Sequence, residues 1–203
     1  MSEQVLTPRS MKVMLGCLAA TILWTAIDLG SKEWALENLS AERTVEAPPA
    51  CEEDAQGRVL MQRLRKPAVV WVEDYFELRY AENCAAAFSM LHNTPLLFRR
   101  VLFSSAAIIA VIMLFWMLYK GHGGPYFAAA VPFIASGALG NLIDRLLRGY
   151  VVDFFRFHLQ NGWEWPTFNV ADATITVGVV LLLIDGFRKP HPKSETAKQT
   201  EPA

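Results

Sequence analysis

Apolar residues in this chain gather into long runs instead of alternating evenly with polar ones. Val13 to Ile27 carries no charge, Val101 to Tyr119 carries none, and Gly121 to Ile143 carries only His122. Each run is rich in Leu, Ala, Ile, Val and Phe and reads as a helix. The second and third reach the roughly 20 residues needed to cross a hydrocarbon core about 30 Å thick. The first is shorter, which puts Asp28 and Lys32 near the membrane boundary. A fourth run, Phe168 to Phe187, spans if Asp172 and Asp185 are tolerated near its ends. The pattern predicts an all-α membrane protein in one domain, 1–203. Its four transmembrane helices lie at about 13–30, 98–119, 125–143 and 168–187, with a small extracytoplasmic β-containing segment between them. A cleaved leader is a weaker reading of the first run. MLGC (14 to 17) looks like a lipoprotein box, but only about four apolar residues precede Cys17, fewer than a signal h-region needs.

The stretches between the runs differ from one another. Residues 40–67 are charged and turn-rich and read as an exposed insertion. VVWVEDYFELRY (69 to 80) is dense in β-branched and aromatic residues and alternates at Phe76, Leu78 and Tyr80, which suits one half-buried strand. Such a strand can lie at the membrane surface with its aromatics at headgroup level. The tail, 188–203, is polar and contains proline, the composition of a disordered segment. An even number of spans puts both termini on one side. The segments on that side hold seven Lys and Arg in 33 residues, against twelve in the longer segments opposite. That density favours cytoplasmic termini, although the raw count does not.

Composition agrees with a membrane protein: 53% of residues are hydrophobic and the mean hydropathy is +0.23, both high for a soluble domain. A net charge of −1 and the lack of a basic, aromatic-interleaved patch give no case for nucleic acid. The cysteines, Cys17, Cys51 and Cys84, form no C-x-x-C and no cluster with histidine, so neither a metal nor another cofactor is expected. Cys51 and Cys84 would both face an oxidising compartment in the favoured orientation, and the sequence leaves open whether they pair.

Candidate chemistry lies in two polar strings at the edges of apolar runs, GNLIDRLLRGYVVDFF (140 to 155) and FNVAD (168 to 172). A carboxylate at membrane depth costs several kcal/mol unless paired or hydrated, which makes such a cluster a candidate functional site. Asp144 beside Arg145 reads as a structural ion pair, and a carboxylate held by a guanidinium makes a poor proton shuttle. Asn141 shares a helix face with both. Gly149 then breaks the helix, and Tyr150 to Phe155 presents Asp153 between apolar neighbours, where desolvation favours its protonated form. Asp172 has a plain structural explanation: with Asn169 as N-cap it falls at N3 of a capping box. Asn83, in ENCAAAFSML (82 to 91), is as readily a turn residue as a substrate contact. Two carboxylates in unlike environments can divide the acid and base roles of a metal-free hydrolysis.

Four blocks carry a resemblance: DLGSK (28 to 32), NCAAAF (83 to 88), GALGNLIDRLLRGYVVDF (137 to 154) and FNVAD (168 to 172). In order and spacing they resemble the bacterial lipoprotein signal peptidases, signal peptidase II. The resemblance implies a four-helix inner-membrane aspartic endopeptidase, a monomer among membrane lipids with its active site at the extracytoplasmic face. It would cut diacylglyceryl-modified prolipoproteins just before the lipidated cysteine. Asp153 and Asp172 map to the catalytic dyad. Asn83, Asn141, Asp144, Arg145 and Asn169 map to supporting or substrate-contacting positions, and Asp28 with Lys32 to a pair near the outer end of the first helix. Their i, i+4 spacing also fits a plain helix-surface ion pair. The chain departs from the family pattern at Ala85 and Ser136, where glycines are usual, and in the length of the segment before Asn83. Two other readings remain at this point. A non-catalytic paralogue would bind lipidated peptides, and a small proton or ion transporter would use the acids as relays.

Overall fold

The structure, a computed structural model, describes residues 7–56, 58–84 and 96–188. The helices are α1 (Met11–Leu39), α2 (Leu96–Tyr119), α3 (Pro125–Leu147) and α4 (Val170–Phe187). The strands are β1 (Ser40–Ala41), β2 (Leu64–Arg65), β3 (Val69–Val72), β4 (Phe76–Asn83) and β5 (Val151–Phe157). All four helices are long and apolar enough to cross a membrane. Their outer faces are apolar too: Ile22, Leu23, Ile109, Ile112 and Leu183 are each more than half exposed. Apolar surface on that scale suits lipid, not water.

α3 is the central helix and packs against α1, α2 and α4. Little hydrophobic force acts between helices in lipid, so close packing depends on small residues. At Gly137 a β-carbon would stand 2.3 Å from the Ala171 carbonyl oxygen, and at Gly140 it would stand 2.2 Å from Asp28 Oδ2. Neither position has room for a side chain, and the two glycines bring α3 against α4 and α1.

The helices outrun the predicted spans. α1 runs past the expected span of 13–30 to Leu39, and α3 past that of 125–143 to Leu147. Asp28 and Lys32 do not mark the membrane boundary by facing water, since they are 1% and 0% exposed inside the bundle. Beyond them Ala35, Leu36 and Leu39 pack with Leu78, Tyr80, Tyr150, Val152 and Phe154 in a second core beneath the sheet.

That sheet is antiparallel in the order β3-β4-β5. The expected single strand over 69–80 is instead a hairpin. It turns at residues 73–75, where Asp74 adopts a left-handed φ of 65°, a conformation aspartate tolerates better than most residues. β4 alternates as read, with Leu78 and Tyr80 buried, whereas β3 is exposed throughout. β4 pairs with β5 so that Asn83 faces Val151 and Ala81 faces Asp153. β5 also holds the approach to α4, because the Phe168 carbonyl accepts from the N–H groups of Phe154 and Phe155 at 3.1 and 2.9 Å.

The segment 40–67 is less exposed than its composition suggests. β1 pairs with β2 at its base, Cys51 is 2% exposed, and Cys51 is joined to Cys84 by a disulfide. The predicted disordered tail from residue 189 onward, and Ala85, lie outside the described residues.

Candidate active site

The sheet and the facing helix ends place two carboxylate clusters side by side. After α3, Gly149 turns the chain with φ +83°, and a β-carbon there would meet the Arg100 guanidinium at 2.6 Å. β5 then runs inward with Val151, Val152, Asp153 and Phe154 all buried. Asp153 is 0% exposed. Asn83 Nδ2 donates to its Oδ2 at 2.9 Å, and Asn169 Nδ2 donates to its Oδ1 at 2.7 Å. Burial pushes the Asp153 carboxyl well above the ordinary value of 3.8, and the charge of Asp172 adds to the rise; the two amide donors oppose it.

Asp172 occupies the first turn of α4. The capping box is present: the Asp172 N–H donates to Asn169 Oδ1 at 3.0 Å, and the Asn169 N–H donates to Asp172 Oδ2 at 3.3 Å. The structural role does not use up the carboxylate, since its Oδ1 also accepts from Asn141 Nδ2 at 2.9 Å. Unlike Asp153, Asp172 is half-buried. Asn169 thus touches both acids, Asp172 through its backbone N–H and Asp153 through its side chain. Asn141 Oδ1 accepts from Asn169 Nδ2 at 3.1 Å, which joins the amide on Asp172 to the one that spans both acids.

The second cluster centres on Lys32, 0% exposed. Its ammonium lies 2.7 Å from Asp28, 3.2 Å from Asp144 and 2.9 Å from Asn141 Oδ1. Asp28 Oδ1 accepts the Ala171 N–H at 2.8 Å, one of the donors left free in the first turn of α4. Asp144 Oδ2 accepts the Val152 N–H at 3.0 Å. The Asp28 and Lys32 pair is therefore no helix-surface ion pair. The expected Asp144–Arg145 pairing is also replaced: Asp144 pairs with Arg148, which pairs in turn with Glu33. Adjacent helical residues point in different directions, whereas i and i+4 share a face. Arg145 turns elsewhere, donating to the Asn141 carbonyl at 3.2 Å and lying 5.7 Å over the Phe103 ring.

All nine candidate residues thus gather at one end of the bundle, in contact directly or through a neighbour. Arg148 and the Cys51–Cys84 bond were not among them. Arg148 had a sequence signal in its i, i+4 spacing from Asp144, whereas no local pattern fixes the disulfide. Chemically, two carboxylates of unequal burial that share Asn169 are placed in unlike environments, which separates acid from base.

Residues 20–188 match the family model for signal peptidase (SPase) II. The chain belongs to the signal peptidase II family. It is 39% identical over 126 residues to the lipoprotein signal peptidase of Alteromonas mediterranea, covering 62% of this chain and 69% of that one. It is 43% identical over 118 residues to the lipoprotein signal peptidase of Ralstonia nicotianae, covering 58% and 67% respectively. A solved structure titled as a bacterial membrane enzyme, obtained at 1.9 Å by the in meso method, has a similar fold. It gives a TM-score of 0.65 at 20% identity over 92% of this chain and all of that one. As a signal peptidase II family member the chain is a peptidase, and hence a hydrolase. The family departure at Ser136 is absorbed inside α3, where its hydroxyl donates to the Phe133 carbonyl at 3.0 Å.

Proposed function

We propose that this chain removes the signal peptide of diacylglyceryl-modified prolipoproteins, cutting just before the lipidated cysteine, with Asp153 and Asp172 as the catalytic dyad. The observation that carries this reading is Asn169, which hydrogen-bonds both carboxylates while neither makes a direct ion pair among the described residues. Asp172, the more exposed acid, takes a proton from water as the water oxygen bonds to the scissile carbonyl carbon. Asp153, kept protonated by burial, donates a hydrogen bond to the developing oxyanion. The carbon–nitrogen bond then breaks and the departing amine takes up a proton from the dyad. No covalent intermediate is needed.

We place the protein in the inner membrane as a monomer, with both termini cytoplasmic and the dyad at the extracytoplasmic face. The Cys51–Cys84 bond supports that orientation, because disulfides persist in oxidising compartments. At the end of β5 away from Asp153, Tyr75, Phe157, Trp163, Trp165 and Phe168 line an apolar groove of about 410 Å³, a composition suited to the headgroup level. A substrate anchored by two acyl chains diffuses in that plane and needs only its peptide at the interface. The acids lie at helix ends and on β5, where a surface peptidase needs them and a transmembrane relay does not.

The test is purified protein with a diacylglyceryl-modified prolipoprotein, comparing wild type, Asp153→Asn and Asp172→Asn for release of the signal peptide. Cleavage by wild type and none by either variant is expected. Full cleavage by either variant would remove the dyad, and no cleavage by wild type would favour a peptide-binding paralogue.

A further inference from the structure

Asn83 holds Asp153 from the β4 side, and the chain on either side of Asn83 is tied to the segment 40–67. Just before it, the Glu82 carboxylate accepts the backbone N–H groups of Gln62 and Arg63 at 2.7 and 2.9 Å. Just after it, Cys84 is bonded to Cys51. Cys51 itself has a left-handed φ of 68°, a conformation that suits glycine and strains other residues. A side chain that persists at such a position points to a use for its sulfur. Asn83 is also the last residue of β4, paired with Val151, the first residue of β5. Strand ends open readily, and its 2.9 Å bond to Asp153 is lost on a shift of about 1 Å.

We propose that residues 42–63 form a bracket whose two grips, Glu82 and the Cys51–Cys84 bond, are positioning elements that hold the Asn83 amide against Asp153. The proposal rests on Asp153 and Asp172 being the dyad. Closing the bracket takes two protons and two electrons from the thiols and passes them, by thiol–disulfide exchange, to a second disulfide that leaves as a dithiol. The enzyme therefore reaches full activity only where such an oxidant is supplied, on the extracytoplasmic side.

The test uses the full-length protein in lipid nanodiscs with a diacylglyceryl-modified prolipoprotein. The bracket is opened in two ways. A water-soluble phosphine reduces the bond, becoming its oxide with oxygen from water. Separately, Cys51→Gly with Cys84→Ala removes both sulfurs while relieving the left-handed backbone at 51. Each opening is expected to lower kcat about tenfold, the scale of one intramolecular hydrogen bond, with KM within about twofold. The pH–rate profile is expected to move to higher pH, because Asn83 donation favours the ionised form of Asp153. Combined with Asn83→Ala, opening the bracket should cost nothing more, since both changes remove the same contact. An opened bracket that leaves kcat and the pH profile unchanged, or whose loss multiplies with that of Asn83→Ala, overturns the proposal. Asp153→Asn separates the two readings. Cleavage by that variant defeats the dyad, whereas an inert Asp153→Asn beside a fully active opened enzyme defeats only the bracket.

Discussion

Two pairs of carboxylates sit within one amide of each other at the same end of the bundle, yet they are built to opposite ends. Asp28 and Asp144, 1% and 0% exposed, share the ammonium of Lys32 and accept backbone N–H groups from Ala171 and Val152. Asp153 and Asp172 share Asn169 and, among the described residues, receive side-chain donation only from neutral amides. Desolvating a charge costs several kcal/mol, which the first pair offsets with a cation. The second pair lacks that compensation at Asp153, and the carboxyl responds by holding its proton. Lys32 is hydrogen-bonded to the dyad through Asn141, and its charge opposes the rise at Asp153 without overcoming burial. Proton mobility is placed where, among the described residues, no cation makes a direct ion pair.

The contrast breaks most sharply under isosteric substitution. Asp153→Asn and Asp172→Asn are expected to lower kcat by roughly 10²–10⁴-fold, the range of positioned acid and base groups, while the protein still melts cooperatively. Lys32→Met should do the reverse, leaving two buried carboxylates without their partner at a cost of about 3–5 kcal/mol. It should be read first as a drop in melting temperature and protease resistance. A Lys32→Met protein as stable as wild type would show that the two clusters are not different in kind.

Legibility in the sequence followed the range of the interactions. The four spans were visible because hydropathy is local, and the Asn169–Asp172 capping box was visible because four consecutive residues make it. The length of α1 was not, because the charge at Lys32 is satisfied inside the fold by Asn141 and Asp144, and Asn141 lies 109 residues from Lys32. Asp144 was assigned to its chain neighbour Arg145, though the helical turn delivers Arg148. The hairpin in 69–80 was missed even though Glu73 and Asp74 interrupt the apolar alternation there. That Asp153 meets Asn83 and Asn169 depends on the register of β4 with β5 and on the Phe155–Phe168 bridge, which no local pattern encodes.

A subtler property of the dyad is the pH response of Asp153. Asp153 has a folded-state pKa above its unfolded value near 3.8, so the folded protein binds that proton more tightly than the unfolded chain does. Its contribution to stability is complete below the unfolded value and is lost as pH rises through the folded one. Inside that window wild type should lose up to about 1.4 kcal/mol per pH unit relative to Asp153→Asn, measured as the difference between their melting curves in one detergent across a pH series. A difference that stays flat from pH 4 upward would mean that Asp153 is already ionised in the fold.

The smallest change in stability tests the residue that joins the two acids. Asn169 caps α4 and also reaches Asp153, and the two roles separate because glycine is a tolerable N-cap. Asn169→Gly should cost only about a few tenths of a kcal/mol in stability, while removing the Nδ2 donor to Asp153 and the contact with Asn141. Asn169→Ser keeps a capping oxygen and also lacks the donor. If Asn169 served the helix alone, both variants would turn over at the wild-type rate. Because its side chain also fixes one carboxyl relative to the other, both should lose about tenfold in kcat and shift the pH–rate profile upward, with melting temperatures close to wild type.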